Sequence, residues 1–462
     1  MKTALRSLLN SYFLILNFVL LLVLLSPACR SEPAARAVDL PAVGPITLAL
    51  TGDTSFTTLD GISSSAIDLV RAATIGFTNL EVTLLDTDRA REARSRPAPR
   101  WIFAPGDNAR DVAALGFAVV SLANNHAMDF GAEGLTSTML ALDAAGVIHP
   151  GAGSDLAAAR APAFVGSGPR RVAFVAVTAS ASDRSRASAS QQDIQGRPGV
   201  NPLLFDAAIT VDPATFRSLA ESVTSLQAGP PPGERELVMF GRRITKGEQT
   251  RVDFSLTAVD EKNVLAAIAE AHRQAELVVV SVHSHEPTND AEQPASFLRQ
   301  FAHDAVDAGA RLIVGHGPHR LRGMEVYKGV PIFYSLGNFL YRTDGLDFRA
   351  ADPYDSGGNL YTAALGGSAD PASPSGQLDQ DWWWESALVV ATSEHGAIAA
   401  LKVYPLTLDL RTSSGPKGIP QVATGEAANT ILRQFSAVSK LLGTDLPAPS
   451  TGVLDVPISG NR

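Results

Sequence analysis

The sequence predicts a layered α/β fold, on three observations. Apolar runs of strand length at about 46–52, 117–123, 171–178, 276–282, 310–314 and 330–335 alternate with segments of helical periodicity, the pattern of strand–helix units. Several of the runs are continuous (ITLAL, FAVVSLA, LVVVSV, ARLIV), as expected of strands covered on both faces. These four each stop at polar residues: Asp53, Asn124-Asn125-His126, His283 and His316. Ligands in α/β sheets gather beyond the carboxyl ends of strands, so the clusters are expected to converge on one rim. Asp, Asn and His converging there point to a metal centre.

At the amino end, Lys2 and Arg6 precede an apolar stretch from Tyr12 to Leu25 that stops at Ser26-Pro27-Ala28-Cys29. This reads as an export signal over 1–29, because the stretch is shorter than the roughly 20 residues of a spanning helix. Cys29 is the only cysteine in 462 residues and stands at the cleavage point, so it is the expected lipidation site of an envelope lipoprotein held at the membrane by a lipid anchor. A secreted form cut by ordinary signal peptidase is the alternative. With no second cysteine there is no intramolecular disulfide, and a hydrophobic core must hold the domain together. Net charge −9 and pI near 5.5 give no reason to expect nucleic-acid binding.

Residues 30–45 read as a Pro- and Ala-rich tether, and 46–445 as the domain. Within it, Asp107-Asn108 can cap a helix running to Leu115, and Gly116 ends it. Glu261–Ala275 and Pro294–Ala308 show amphipathic spacing. Gly/Pro/Ser-rich segments at 182–255 and 344–381 are expected as surface insertions, either loops or small subdomains. ALVVAT and AIAALKVYPLTL flank Glu394-His395-Gly396 as a hairpin, a helix near Glu426–Leu442 follows, and 446–462 is expected to be a mobile tail.

LALTGD (48–53), FTNLEVTL (77–84), LGFAVVSLANNHAMDFGAEGL (115–135), GAGSDLAAARAP (151–162), VVVSVHSHE (278–286), VGHGPHRLRGMEVYKGVPIFYSLGNFLY (314–341) and KVYPLTL (402–408) resemble, in order, the blocks of the CapA family. The resemblance implies a four-layer metallophosphoesterase-like sandwich with surface insertions, and a link to bacterial poly-γ-glutamate capsule synthesis. It further implies one or two divalent ions (Mn, Zn or Fe), with Asp53 as a ligand, Glu81 as a carboxylate bridge, Asn125 as an oxygen donor, and His283 with His316 or His319 as nitrogen donors. By the same analogy His126 is the acid that protonates the leaving group and Asp129 orients it. Asn79, Asn124, Glu286 and Asn338 are expected on the substrate side.

Simpler roles exist for these residues. Asn124, Asn125 and Asp129 could cap the turn before Gly131, Asp53 could end a strand, and Glu81 could face outward. The family commonly has Gly-His-His-Pro-His where this chain reads Gly-His-Gly-Pro-His at 315–319, so one imidazole is missing. His285 is an added one, expected in solvent unless its loop folds back. Trp382-Trp383-Trp384 is expected to pack on the domain, and His149, His272, His303 and His395 to be surface or packing residues. The expected function is a metal-dependent, phosphoesterase-like hydrolase acting on a phosphoester or anionic polymer. The rival is a non-catalytic accessory protein binding polymer or a membrane synthase complex. No Walker-type Gly-Lys loop is present, so energy for polymerisation would come from a partner.

Overall fold

The computed structural model describes residues 40–86, 88, 102–168, 170–342, 380–408, 418–449 and 452–458. The export segment, Cys29 and nearly all of the insertion expected at 344–381 lie outside them. The fold is mixed α/β with several sheets. The chain runs β1 (Ile46–Phe56), α1 (Ser65–Ala72), β2 (Ile75–Leu80), α2 (Asn108–Ala114), β3 (Phe117–Ser121), α3 (Gly131–Ala145), β4 (Ala163–Val165) and β5 (Val172–Thr178). After an inserted subdomain come α4 (Ala258–Gln274), β6 (Leu277–His283), α5 (Ser296–Asp307), β7 (Leu312–His316), β8 (Met324–Tyr327), β9 (Val330–Phe333) and β10 (Asn338–Arg342). A hairpin of β11 (Glu385–Glu394) and β12 (Ala397–Thr407), helix α6 (Gly425–Leu441) and β13 (Leu454–Val456) follow.

An eight-stranded sheet runs from Gln421–Val422 through β12, β11, β1 and β2 to β3, with β10 beside β1 and β13 beside β12. A six-stranded sheet runs β8, β9, β7, β6, β5, β4. The strands that carry the polar clusters (β1, β2 and β3; β6 and β7) are parallel to their neighbours in this set, so their carboxyl ends share one edge of each sheet.

Alternation along each strand sorts the side chains into separate cores. Leu48, Leu50 and Phe77 of the first sheet share a cluster with Phe174, Val279 and Val314 of the second. Within it Phe77 stacks on Phe174 at 5.5 Å and 13°. Ala49 and Val120 instead join Ile67 of α1, Val112 of α2 and Leu135 of α3. Val278 and Val280 join Val264 and Ile268 of α4 and Phe301 of α5. Burying each such Leu, Ile or Phe contributes roughly 1.5–3 kcal/mol, so a core without disulfides is sufficient.

The small-subdomain alternative holds at 182–255, and two other expectations change. The 182–255 insertion builds a four-stranded sheet from Phe205–Val211, Glu236–Met239, Arg242–Lys246 and Arg251–Leu256. The helix Pro213–Leu226 packs on it through Phe216 and Val223, against Val211, Leu237 and Ile244. In the closing segment, expected to be mobile, β13 pairs with β12 and buries Leu454 and Val456 in the core shared by the two sheets. Asp107 stands at the cap position of α2 but makes no side-chain cap bond; its carboxylate accepts from Arg110 at 3.2 Å instead. Among the described residues no helix is long and apolar enough to cross a membrane.

Candidate metal centre

Asp53 lies where β1 changes partners. Ile46–Leu50 pair with β11, and from Asp53 onward β1 pairs with β10, with a register shift at that point. Gly52 permits the change: a Cβ there would stand 1.8 Å from the Gly337 carbonyl. Asp53 N–H donates to that same carbonyl at 2.9 Å. The register sets Asn79 of β2 and Asn338 of β10 on either side of Asp53.

The Asp53 carboxylate is fully buried. Its Oδ1 accepts from Asn79 Nδ2 at 2.8 Å and its Oδ2 from the Gly317 N–H at 3.0 Å. Gly317 has φ +113, and a Cβ would meet the backbone of Ser284 at 2.9 Å. The position missing an imidazole is therefore one where this backbone admits no side chain, and its amide holds a carboxylate. Asn124 Nδ2 donates to Asn79 Oδ1 (3.2 Å) and to the Leu80 carbonyl (2.8 Å), while its Oδ1 accepts from His126 N–H (3.0 Å). Asn79 and Asn124, expected on the substrate side, are fully buried, and their amides are engaged in holding Asp53 and the His126 turn.

Glu81 is at the centre. It is 1 % exposed, and among the described residues neither carboxylate oxygen has a hydrogen-bond partner. His283 Nδ1 lies 3.4 Å from Oε1, and His319 Nδ1 lies 3.8 Å from Oε2 and 3.6 Å from Asp53 Oδ2. His283 Nε2 reaches Asn125 Oδ1 at 2.9 Å and His285 Nε2 at 3.1 Å. Two triads have ligand atoms mutually within 4.8 Å, Asp53–Glu81–His283 and Glu81–His285–His319, and Glu81 belongs to both. A buried carboxylate left without donors is strongly disfavoured unless a cation accompanies it, so these residues fit a divalent ion.

The electrostatics agree. Burial, and then the neighbouring Asp53, push the Glu81 carboxyl well above its usual range, and burial also raises Asp53. Burial lowers His283 well below normal, His319 to about 3, and His285 below normal. Burial thus shifts the carboxyls and the imidazoles of the cluster toward their neutral forms. A bound cation reverses the first preference and uses the second, since metals take deprotonated carboxylates and neutral imidazoles.

His316 departs from expectation. It is buried, but Nε2 donates to the Thr51 carbonyl (3.1 Å) and Nδ1 meets Ser281 Oγ (3.3 Å). Both nitrogens are occupied inside the fold, and His316 is in neither triad. His285 takes a place in the cluster. β6 ends at His283, and the loop after it folds back, with His285 N–H donating to Ser180 Oγ (3.1 Å) and Nδ1 meeting Asn289 Oδ1 (2.8 Å). Arg322 fixes that loop. It is wholly buried and donates to the carbonyls of Glu286 (2.8 Å), Thr288 (2.9 Å) and Ala291 (3.2 Å). The Glu286 carboxylate accepts from Ser284 Oγ in the same loop and from Ser180 Oγ in the loop after β5. Sequence reasoning missed Arg322, and the only signal for His285 was that it was an additional imidazole.

His319 has φ +55, a left-handed backbone uncommon for a residue with a side chain. Its Nδ1 meets Asn338 Oδ1 at 2.8 Å, and Asn338 Nδ2 donates to the Trp383 carbonyl at 3.0 Å. Trp383 lies against the His319 ring, with centroids 4.5 Å apart and the planes tilted by 37°. Trp383 and Trp384 are buried with Leu408, the packing role expected for them. Asn338 thus orients His319. At the open side, His126 is 36 % exposed and its Nδ1 lies 2.8 Å from Asp129 Oδ2.

The family described as bacterial capsule synthesis protein PGA_cap matches residues 40–343. The uncharacterized protein y4sH of Sinorhizobium fredii is 33% identical over 397 residues, which are 82% of this chain and 85% of the relative. A Mycobacterium tuberculosis protein named probable polyglutamine synthesis accessory protein is 31% identical over 241 residues, 52% of this chain and 49% of its own. The PGA biosynthesis protein CapA of Bacillus subtilis is 47% identical over 83 residues, 18% of this chain and 21% of its own.

Proposed function

We propose, from the premise that this chain belongs to the PGA_cap family of bacterial capsule synthesis proteins, that it is a divalent-metal-dependent hydrolase of the cell envelope. Its substrate is an anionic capsule polymer of the poly-γ-glutamate type, or a phosphoester in that polymer's synthesis. The observation that carries the reading is Glu81, buried and unpartnered between two ligand triads.

Asp53, Glu81, Asn125, His283, His285 and His319 would hold one or two ions, which would supply Lewis acidity toward a phosphoryl or carbonyl oxygen and toward water. The protein's part is positional and protonic. Asn79 and the Gly317 amide fix Asp53, Asn338 and Trp383 fix His319, and Arg322 fixes the loop that carries His285. His126 gives a proton to the departing oxygen or nitrogen; Asp129 holds its Nδ1, leaving Nε2 for the leaving group. The fold reading that accompanies this function is a four-layer sandwich, supported by one core between the sheets and one under the helices on each outer side. Cys29 would anchor the protein to the membrane by a lipid; Cys29→Ala should release it to the soluble fraction, and a variant that stays membrane-bound would refute the anchor.

The decisive measurement is metal content of the purified protein together with hydrolysis of nitrophenyl phosphate and γ-linked glutamate oligomers. Asp53→Ala should lose both metal and turnover. Hydrolysis unchanged in Asp53→Ala would overturn the assignment. The accessory reading is favoured by the name of the Mycobacterium tuberculosis relative. It would be supported by polymer binding with no hydrolysis of any of these bonds.

A further inference from the structure

Buried side-chain polar groups nearly always find a hydrogen-bond partner, so each exception asks for a reason. At the metal centre there are exceptions of two opposite kinds. Glu81 carries two acceptor oxygens without a donor, and Trp383 carries an indole donor, Nε1–H, without an acceptor among the described residues. All three atoms are shielded from solvent. The hydrolytic reading accounts for Glu81 and leaves the indole unexplained.

One imidazole adjoins both. His319 Nδ1 is 3.8 Å from Glu81 Oε2, and the ring centroids of His319 and Trp383 are 4.5 Å apart. The indole is held firmly. It is 6 % exposed, Tyr341 meets it at right angles at 5.5 Å, and Trp382 and Trp384 lie at 6.0 and 6.5 Å. Asn338 binds both partners, its Nδ2 donating to the Trp383 carbonyl at 3.0 Å and its Oδ1 meeting His319 Nδ1 at 2.8 Å. A ring so packed does not turn out to find water.

The two deficits are complementary. Glu81 lacks a cation, and the surrounding ligand set fits one. Indole is a donor only, so Trp383 lacks an acceptor oxygen. An oxygen held beside His319 comes within reach of an N–H···O contact of about 2.9 Å, and an anionic oxygen is the acceptor that a metal brings to that place.

We propose that Trp383 Nε1–H donates to an anionic oxygen of the substrate, phosphoryl or carboxylate, seated at the metal that His319 helps to hold. The step rests on the metal-dependent reading above. In the free protein the donor is unpaired, and substrate binding pairs it. Trp383 then does more than pack on the domain: it is a substrate-binding residue.

Inorganic phosphate is the probe, and indole ¹⁵N–¹H NMR of the full-length, zinc-loaded protein the readout. The chain has four tryptophans. The Trp383 signal is the one lost in Trp383→Phe or, if that variant does not fold, the one left after Phe replaces each of the other three in turn. Phosphate should move this signal downfield. Trp383→Phe keeps a ring on His319, so it should retain its zinc and bind phosphate roughly tenfold to hundredfold more weakly, as for loss of a hydrogen bond to a charged group. A signal unmoved by phosphate on the zinc-loaded protein, or equal phosphate affinity in Trp383→Phe, overturns the assignment and leaves the N–H against a neighbouring ring, while the metal reading stands. If the protein takes up no zinc and phosphate still moves the signal, the donor stands and the metal reading falls; no zinc and no movement removes both.

Discussion

Replacing Glu81 by Gln should change protein stability in opposite directions with and without metal. In the chelated protein Glu81 is a buried carboxyl with no hydrogen-bond partner among the described residues, held between Asp53 and two imidazoles whose charged forms burial disfavours. Gln keeps the volume and removes the charge, so chelated Glu81→Gln should match chelated wild type or exceed it by on the order of 1–3 kcal/mol. With metal the order reverses, because Glu81 is the one residue common to both triads. A ligand at about one hundred times its Kd stabilises by about 2.7 kcal/mol. With an unfolding entropy of roughly 2 cal/mol/K per residue over roughly 400 residues, that is about 3 °C for wild type and none for the variant. Differential scanning fluorimetry with EDTA and then with Mn²⁺ or Zn²⁺ gives the four melting points. An undiminished metal shift in Glu81→Gln, or equal destabilisation with and without metal, would refute the assignment of Glu81 as a shared ligand.

His285→Ala should lower the number of ions bound per chain, whereas His316→Ala should leave metal content intact and cost about 2–4 kcal/mol of stability through a core void and an unsatisfied Thr51 carbonyl; metal loss on His316→Ala alone would restore it as a ligand. His126→Ala should keep the metal and slow a poor leaving group roughly 10²–10⁴-fold, with a smaller loss on a nitrophenyl ester. Equal losses on the two esters remove His126 from the acid role. Away from the site, burial pushes Glu325 up, but hydrogen bonds from Tyr334 (2.8 Å), Arg299 (3.3 Å) and His303 (2.8 Å) hold its carboxyl below the usual value. The group's stabilisation is therefore complete above about 4.5, the unfolded value, and is lost as pH falls through the lower folded value. Acid unfolding curves should be shallower over that window in Glu325→Gln, and an unchanged slope would rule the group out.

Much of this protein could be read along the chain, because its strands are short and carry their own signal. Continuous apolar runs located β1, β3, β5, β6, β7 and β9 within a few residues, since strands buried on both faces need apolar residues at successive positions. The polar residues that end those runs marked the rim for the same reason: polarity resumes where burial between neighbours gives way to a site. Asp53, Asn125 and His283 were found in this way, and Glu81 and His319 through the resemblance to the CapA family. What the sequence did not determine is where each imidazole points. His316 stands directly across from His283 in register, yet Thr51 and Ser281 take both of its nitrogens. His285, two residues past His283, would share its face on a continued strand, but β6 ends at His283, and the ring reaches the cluster from a loop fixed by Arg322, a residue 37 positions further on. The divide is physical: apolar burial is set by neighbours in sequence and period, whereas a side chain's final orientation depends on hydrogen-bond partners such as Thr51, 265 residues from His316, that only the tertiary fold brings within 3.1 Å.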